Sequence, residues 1–428
     1  MEEKPELFSK LEVTGWRQFR SVQLDLHPRL TILTGANGCG KTTIIGIFSR
    51  HFGYQNRFLA TPTINESGVV TFSLGLFKTL SRRFFSRSLP PSSPNKIGTV
   101  TYASGEKSVI SVPENTGSPV FQLNLSAQKS VAGLNIPSHR QLPNYQSVTN
   151  IPINAMIPEA AYSSYLGESL ARSEGGHTGY SPIYRMKEAL ISMATFGPGN
   201  ARIQRNEQSE RALSGFELVL RKMLPKSLGF SGISIRQADV VLDTATGEFL
   251  LDASSGGIMS LIDICWQIYL YSLSHSQFVV TMDEPENHLH PAMQRSLMSD
   301  LIATFPTAQF IVATHSPFIV SSMKDSTVYA LRYALPGGRR IVSEQLDLGR
   351  KAGTASEILR EVLGVPVTAP VWVEAALQEI VKKYSDRPIN QEGLSELKSE
   401  LTEAGLDEYF SDALAGLAVP HDISSQIR

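Results

Sequence analysis

Gly35-Ala36-Asn37-Gly38-Cys39-Gly40-Lys41-Thr42-Thr43 is the stretch that decides the fold. It fits the pattern G-x-x-x-x-G-K-[ST] without a mismatch. RLTILT (29–34), just before it, is a short β-branched run that reads as a strand. KTTIIGIFSRHF (41–52), just after Gly40, repeats apolar residues at helical spacing: Ile44, Ile45, Phe48 and Phe52. A glycine-rich loop between strand and helix lets backbone N–H groups wrap a phosphate closely, and the helix start points its own N–H groups at the same anion. Lys41 then supplies a point charge for β- and γ-phosphates, and Thr42 a hydroxyl for Mg²⁺. ATP and Mg²⁺ are therefore the expected ligands. Gly35, Asn37, Gly38, Cys39, Gly40, Lys41, Thr42 and Thr43 are the residues expected to hold the nucleotide. Cys39 reads as a small loop residue rather than a redox switch, because no resolving thiol lies near it in sequence.

Two further segments complete this reading. FVVTMDEPENHLHP (278–291) puts Asp283 and Glu284 at the C-terminal end of a continuous apolar run. Such runs are strands buried on both faces of a mainly parallel sheet. Carboxylates there are costly unless they meet a metal or a donor, and open α/β sheets bind ligands at that edge. Asp283 suits the Mg²⁺ shell. Glu284 suits the orientation and deprotonation of an attacking water. QFIVATHS (309–316) ends a second such run in Thr314-His315-Ser316, from which His315 can reach the γ-phosphate and the water. PAMQRSLMSDLIATF (291–305) lies between them and reads as a helix with Pro291 in its first turn. His288 and His290 have no Cys or third His nearby, so a zinc site is not expected.

Elsewhere the chain changes character. Residues 8–26, FSKLEVTGWRQFRSVQLDL, read as a hairpin. Between about 55 and 155, VVTFSLGLF, GTVTYAS, KSVISV and VFQLNLS read as strands, and SRSLPPSSPNK (86–96) as a surface loop. Residues 158–224 turn helical, ISIRQADVVLD and EFLLD are strand-like, and GGIMSLIDICWQIYLYSL (256–273) is an apolar helix opened by a Ser-Ser-Gly-Gly turn. The tail beyond about 354 is mostly helical and polar. The chain has 428 residues, a net charge of −1 and two cysteines. These values give no global pull towards nucleic acid or anionic membrane and exclude a disulfide framework. The acidic N-terminus lacks an apolar signal region, and no apolar run reaches the ~18 residues that span a bilayer, so a soluble cytoplasmic protein with no membrane partner is expected.

Taken in order, these motifs resemble an ABC-type ATPase head of the RecF/SMC/OLD kind, and more narrowly the prokaryotic "AAA family" ATPases of phage-defence modules. DEPENHLHP is the most specific piece of the resemblance, which covers residues 8–50, 134–141 and 248–320. It implies an α/β fold with a mixed-β N-terminal lobe, a parallel-sheet phosphate-loop core, a helical insertion at about 55–245 and a helical tail. The ATPase domain would run over 1–345 and the appendage over 346–428. It also implies an ABC signature before the Asp283 strand, which Ser254-Ser255-Gly256-Gly257 fits. The family often has Ser-Gly-Glu, so Gly257 departs from it. Ser255, Gly256 and Gly257 would then serve the ATP of a partner in a sandwich dimer or higher oligomer. NIPSHR (135–140) resembles the strand-end segment of the Q-loop region, which makes Gln141 a candidate metal-sensing glutamine. Basic residues at the place of Arg17 or Arg20 touch ATP phosphates in related heads.

SMC proteins insert coiled coils where this chain is compact and without heptads. OLD nucleases carry a TOPRIM domain. VWVEA (371–375) echoes its start, but Ala375 replaces the glycine and no Asp-x-Asp follows, so no nuclease is expected here. The leading expectation is an ATPase that scaffolds, holds or activates a separate effector, a nuclease or toxin, in anti-phage defence. The alternative is a RecF-like repair ATPase binding DNA through Lys78, Arg82, Arg83, Arg87 and Lys96.

Overall fold

The apolar alternation of residues 8–26 becomes an antiparallel hairpin, β1 (Phe8–Trp16) and β2 (Phe19–Asp25), closed by the pair Trp16↔Phe19. The computed structural model describes residues 6–64, 68, 70–76, 95–113, 118–140, 144–150, 155–173, 175, 176, 178–334, 340–347, 349, 352–363, 370–384, 391–410, 413, 414 and 417. Lys78, Arg82, Arg83, Arg87, residues 86–94 of the expected surface loop, and Gln141 lie outside the described residues.

The chain forms two compact units, Met1–Ile358 and Leu359–Arg428. The first is built on one eleven-stranded sheet. Its strands are β1, β2, β3 (Leu30–Gly35), β7 (Lys96–Tyr102), β8 (Lys107–Ser111), β10 (Asn124–Ser126), β11 (Gly133–Ile136), β15 (Phe278–Asp283), β16 (Ala308–Ala313), β17 (Thr327–Tyr333) and β18 (Ile341–Gln345). They run in the order β10-β8-β7-β1-β2-β18-β17-β3-β16-β15-β11. From β17 to β11 every neighbouring pair is parallel. From β10 to β2 every pair is antiparallel. The expected mixed-β lobe and parallel core are thus two halves of one continuous sheet, joined through the parallel pair β2–β18.

Four strands of that sheet, β7, β8, β10 and β11, come from the stretch 55–155. VFQLNLS, which has one apolar alternation, divides between β9 (Val120–Phe121), paired with β4 (Phe58–Leu59), and β10. β5 (Thr61–Ile64) and β6 (Val70–Ser73) form a second small ladder. ISIRQADVVLD contains a tight turn: β12 (Phe230–Arg236) folds back on β13 (Asp239–Thr244), which pairs with β14 (Gly247–Leu250). Gln237 and Ala238 both adopt positive φ there, a conformation for which the sequence offers no glycine or asparagine as a signal.

α1 (Lys41–Ser49) packs against β3, β16, β15 and β11. α2 (Pro158–Ser173), α3 (Pro182–Phe196), α4 (Glu207–Met223) and α5 (Gly256–Ser274) pack on one another, and α5 also touches β11. α6 (Pro291–Thr304) links β15 to β16, with Pro291 in its first turn as expected. The short α7 (Pro317–Val320) follows β16. Every residue of β15 and of β16 is buried, as continuous apolar runs covered on both faces require.

The second unit holds the helices Val371–Tyr384 and Gln391–Glu403. Val373, Leu377, Ile380 and Tyr384 repeat at helical spacing and form a small core with Leu397, Leu401 and Leu406. VWVEA opens the first of these helices. Among the described residues no helix is long and apolar enough to cross a membrane.

Candidate functional site

The C-terminal ends of β3, β15 and β16 lie side by side in the parallel half of the sheet, and each delivers one motif to the same edge. Gly35 ends β3, Asp283 ends β15, and His315 follows β16 by two residues.

The phosphate loop is shaped by contacts as well as by its glycines. Gly40 caps α1 with φ 96°, and a Cβ there would meet Gln18 Nε2 and the Phe19 ring at 2.4 Å. Gly40 is therefore required both by its left-handed backbone and by the close approach of the β1–β2 hairpin. Cys39 is fully buried, its thiol pushed up by that burial, and it belongs to the core as a small apolar residue. Ala36, Asn37 and Gly38 are exposed at the loop tip, and Thr43 is half-buried in the first turn of α1. Arg17 Nη2 donates to Leu59 O at 3.0 Å, and its guanidinium lies over the rings of Trp16 and Phe58. Arg20 has an exposed side chain on β2.

Thr42 Oγ1 donates to Asp283 Oδ2 at 2.8 Å. Asp283 is 7% exposed, and its Oδ1 is buried without a partner. Burial raises its carboxyl pKa; the bond from Thr42 opposes the shift, and the charge of Glu284 adds to it. An unpaired buried carboxylate oxygen costs roughly 1–3 kcal/mol or more, a cost that a cation beside it would remove. The donor set fits Mg²⁺, which binds hard oxygens and takes one or two carboxylates together with phosphates and water. Among the described residues no group of three His, Cys, Asp or Glu side chains could hold a metal unaided, and such a site does not need one.

Lys41 is nearly buried. Its Nζ donates to Gly35 O at 3.1 Å and lies 2.6 Å from His315 Nε2. An ammonium can only donate, so this contact requires a neutral His315 with Nε2 as acceptor and its proton on Nδ1. Burial, and then the charge of Lys41, lower the His315 pKa and favour that form. His315 Nε2 is also 3.6 Å from Glu284 Oε1. Glu284 itself has φ 47°, a strained value for a non-glycine residue at a strand end. Its N–H donates to Ala313 O at 2.8 Å, and its Oε2 accepts from Asn287 Nδ2 at 3.1 Å.

Two residues that the sequence reading did not single out hold this arrangement. Glu286 is 9% exposed, and its Oε1 accepts from Thr314 Oγ1 at 2.5 Å, His315 N at 2.9 Å and Ser316 N at 3.2 Å. It ties the β15 turn to the His315 segment. Its position inside DEPENHLHP was the available signal, since a further carboxylate so close to a buried strand end needs donors. Arg140, within the quoted NIPSHR segment, reaches the same turn from the end of β11: its Nη2 donates to Pro285 O at 3.0 Å and Asn287 O at 3.2 Å.

Ser255 caps α5, with its exposed Oγ accepting from Ile258 N at 3.4 Å, and Gly256 and Gly257 form the first turn. A Cβ on Gly257 would lie 2.7 Å from His288 O, so this chain's departure from Ser-Gly-Glu coincides with a turn pressed against the helix start. His290 Nδ1 accepts from Ala292 N at 3.3 Å and caps α6, which accounts for one member of the His-x-His pair.

Two family models match the segments that deliver these motifs. The family described as "AAA domain, putative AbiEii toxin, Type IV TA system" matches residues 267–321, and a family described as "AAA domain" matches residues 10–55. Septu protein PtuA of Bacillus thuringiensis is 27% identical over 168 residues, spanning 36% of this chain and 42% of that protein. The retron Ec83 probable ATPase of Escherichia coli is 21% identical over 462 aligned positions, spanning 94% of this chain and 83% of that protein. The retron Vc95 probable ATPase of Vibrio cholerae serotype O1 biovar El Tor is 38% identical over 106 residues, 25% of this chain and 20% of that protein. The chain thus spans less than half the length of the Septu relative and most of the Ec83 relative. Among solved structures, an Smc head domain from Pyrococcus furiosus covers 83% of this chain and 99% of its own at 13% identity, with a TM-score of 0.43. The chain thus matches AAA-domain family models over the segments that hold the phosphate loop and the Asp283-to-His315 motifs, and over the spans given it is similar to Septu protein PtuA and to two retron probable ATPases.

Proposed function

We propose that the chain binds and hydrolyses ATP as a dimer closed around the nucleotide, and that this cycle holds or activates a separate effector protein in defence against phage. The observation that carries the chemistry is the convergence of Lys41, Thr42, Asp283, Glu284 and His315 on one sheet edge, with Asp283 Oδ1 left unpaired. The defence role is supported by the Septu and retron relatives.

In this reading the phosphates lie along the loop from Gly35 to Thr43, and Lys41 exchanges its bonds to Gly35 O and His315 for the β- and γ-phosphates. Thr42 and Asp283 would hold Mg²⁺, which would supply charge neutralisation at the phosphate oxygens. Glu284, held by Asn287, orients the attacking water and takes its proton. His315, neutral, hydrogen-bonds the water or the γ-phosphate. Ser255 and Gly256 at the start of α5 present N–H groups to the γ-phosphate bound by a second copy. Of the basic residues on which a DNA-binding reading would lean, Lys78, Arg82, Arg83 and Arg87 lie outside the described residues, and Lys96 is exposed at the start of β7.

Light scattering with Mg-ATP and a phosphate-release assay test the proposal. Lys41→Ala should abolish ATP binding. Ser255→Arg should bind ATP but not turn it over. Mixing the two should restore activity, because one composite site keeps an intact loop and an intact signature. Failure of the mixture to recover would remove the shared-site dimer.

A further inference from the structure

The hydrolytic turn and the signature helix are tied together inside one chain by the side chains of Arg140 and Ser260. Arg140 follows β11 and spreads its guanidinium between two elements. Its Nε donates to Ser260 Oγ at 3.0 Å, on the second turn of α5. Its Nη2 points at three carbonyls of the turn after β15: Glu284 O at 3.4 Å, Pro285 O at 3.0 Å and Asn287 O at 3.2 Å. Its Nη1 donates to Pro137 O at 3.2 Å, back on its own segment. Ser260 Oγ also donates to Asn287 O at 3.3 Å, which closes a triangle of Arg140, α5 and the turn.

This is unusual use of a charge. Among the described residues Arg140 forms no salt bridge; backbone carbonyls take its Nη N–H groups, while the charges of Asp263, Glu286 and Glu284 act on it through space. Three carbonyls of one turn aimed at one donor group would repel each other without it. The turn is also the one in which Glu284 takes a left-handed backbone. Asn287, whose carbonyl Arg140 binds, holds the Glu284 carboxylate through Nδ2 and reaches Ser138 O at 3.3 Å with the same amide. A displacement of Arg140 therefore reaches the Glu284 carboxylate through the turn backbone and the Asn287 side chain. A displacement of α5 reaches it through Ser260.

We propose that Arg140 is a positioning residue that couples the signature helix to the Glu284 turn of the same chain, so that engagement of α5 by a partner's nucleotide sets the hydrolytic geometry in the chain that carries that α5. This rests on the shared-site reading given above. It makes the two sites of a dimer interdependent: each chain's signature, once occupied, tunes that chain's own base. The guanidinium suits the task because its fixed fork of donors binds several acceptors at once in set directions, which a lysine ammonium does not.

The test uses Arg140→Lys, which keeps the charge and loses the fork, beside Ser260→Ala, which removes the α5 contact and leaves Arg140 on the turn. A displacement near 1 Å at a reacting group costs about 10²-fold in rate. Arg140→Lys should thus lower kcat by about 10- to 100-fold while the ATP dissociation constant, measured by calorimetry, stays within about threefold of wild type. Ser260→Ala should keep ATP binding and ATP-dependent assembly and lower the turnover of the assembled dimer. Mixing Arg140→Lys with Lys41→Ala should not restore turnover, because the only site able to bind ATP in that pair contains the altered turn. The Ser255→Arg and Lys41→Ala mixture, run in parallel, should recover only in part, because its one competent site lies in a chain whose own signature meets no partner nucleotide; recovery to the full per-site rate would overturn the coupling.

An Arg140→Lys kcat near the wild-type value would overturn the proposal, as would a loss of ATP binding matching the loss of rate, which marks a merely structural role. Recovery on mixing with Lys41→Ala would place the defect in the signature alone and equally overturn it. If the Ser255→Arg control fails to recover, the shared-site dimer is at fault. The coupling then falls with it, while the split between kcat and binding still decides whether Arg140 positions Glu284.

Discussion

Glu284→Gln separates binding from chemistry at this site. The amide has nearly the size of the carboxylate, and its carbonyl can still accept the 3.1 Å bond from Asn287 Nδ2. The contact with His315 at 3.6 Å carries no ion pair to lose, because burial and the charge of Lys41 favour the neutral imidazole. Losing the Glu284 charge also relieves Asp283, whose carboxyl pKa that charge helps to raise. Lys41, Thr42 and Asp283 are untouched, so the ATP dissociation constant should move by no more than about threefold, or under ~1 kcal/mol. The rate should fall much further. Removing a positioned general base costs about 10²–10⁴-fold, which is roughly 3–5 kcal/mol of barrier. Slow hydrolysis with intact binding should accumulate the ATP-bound dimer, since hydrolysis is what would open it, and any effector governed by the cycle should lock in one state. Single-turnover phosphate release and light scattering in Mg-ATP read both effects. Hydrolysis at the wild-type rate would show that Glu284 is not the base. A slow variant with no ATP-dependent assembly would leave the base in place and refute the clamp.

Three other perturbations follow from the same contacts. Glu286→Ala strands the Thr314 hydroxyl and the His315 and Ser316 N–H groups; at roughly 1–3 kcal/mol for a buried unsatisfied group it should lower the melting temperature and the turnover together, while Glu286→Gln, which keeps a carbonyl acceptor, should retain most of both. Gly257→Glu, the substitution towards the family pattern, places a Cβ 2.7 Å from His288 O, and overpacking of that kind costs about 1–3 kcal/mol; a denaturation midpoint equal to wild type would show that the turn yields freely. His51 is buried against Phe8, with its Nε2 2.9 Å from Tyr102 Oη, and burial brings its pKa down from 6.5 to about 4. The unfolded chain therefore takes up this proton first, so stability is full above pH 6.5 and is lost as pH falls towards 4. The loss by pH 5 is roughly 2 kcal/mol. Urea midpoints at pH 7 and pH 5 should differ accordingly in the wild type and much less in His51→Phe.

The parts of the site legible in the sequence are those whose chemistry is local. The loop from Gly35 to Thr43 needs its glycines, lysine and threonine at fixed spacing. Asp283 and Glu284 stand out because carboxylates rarely end an apolar strand. β15, β16 and α6 could be read from residues 278–316 because strands buried on both faces are continuous apolar runs and Pro291 marks a helix start. The division of VFQLNLS between two sheets and the turn at Gln237 and Ala238 were not legible. The first depends on which distant strand pairs with each half, and the second on backbone strain that these two side chains do not signal. Only the tertiary structure decided that four strands from the stretch 55–155 belong to the main sheet and that Glu286 braces His315 across 29 residues of sequence. It alone showed that Arg140 binds a turn more than 140 positions away. Local sequence carries the propensity of a strand, a loop or a helix start. The direction in which a buried carboxylate or guanidinium finds its partners is set by the strand order, and that order is a property of the whole chain.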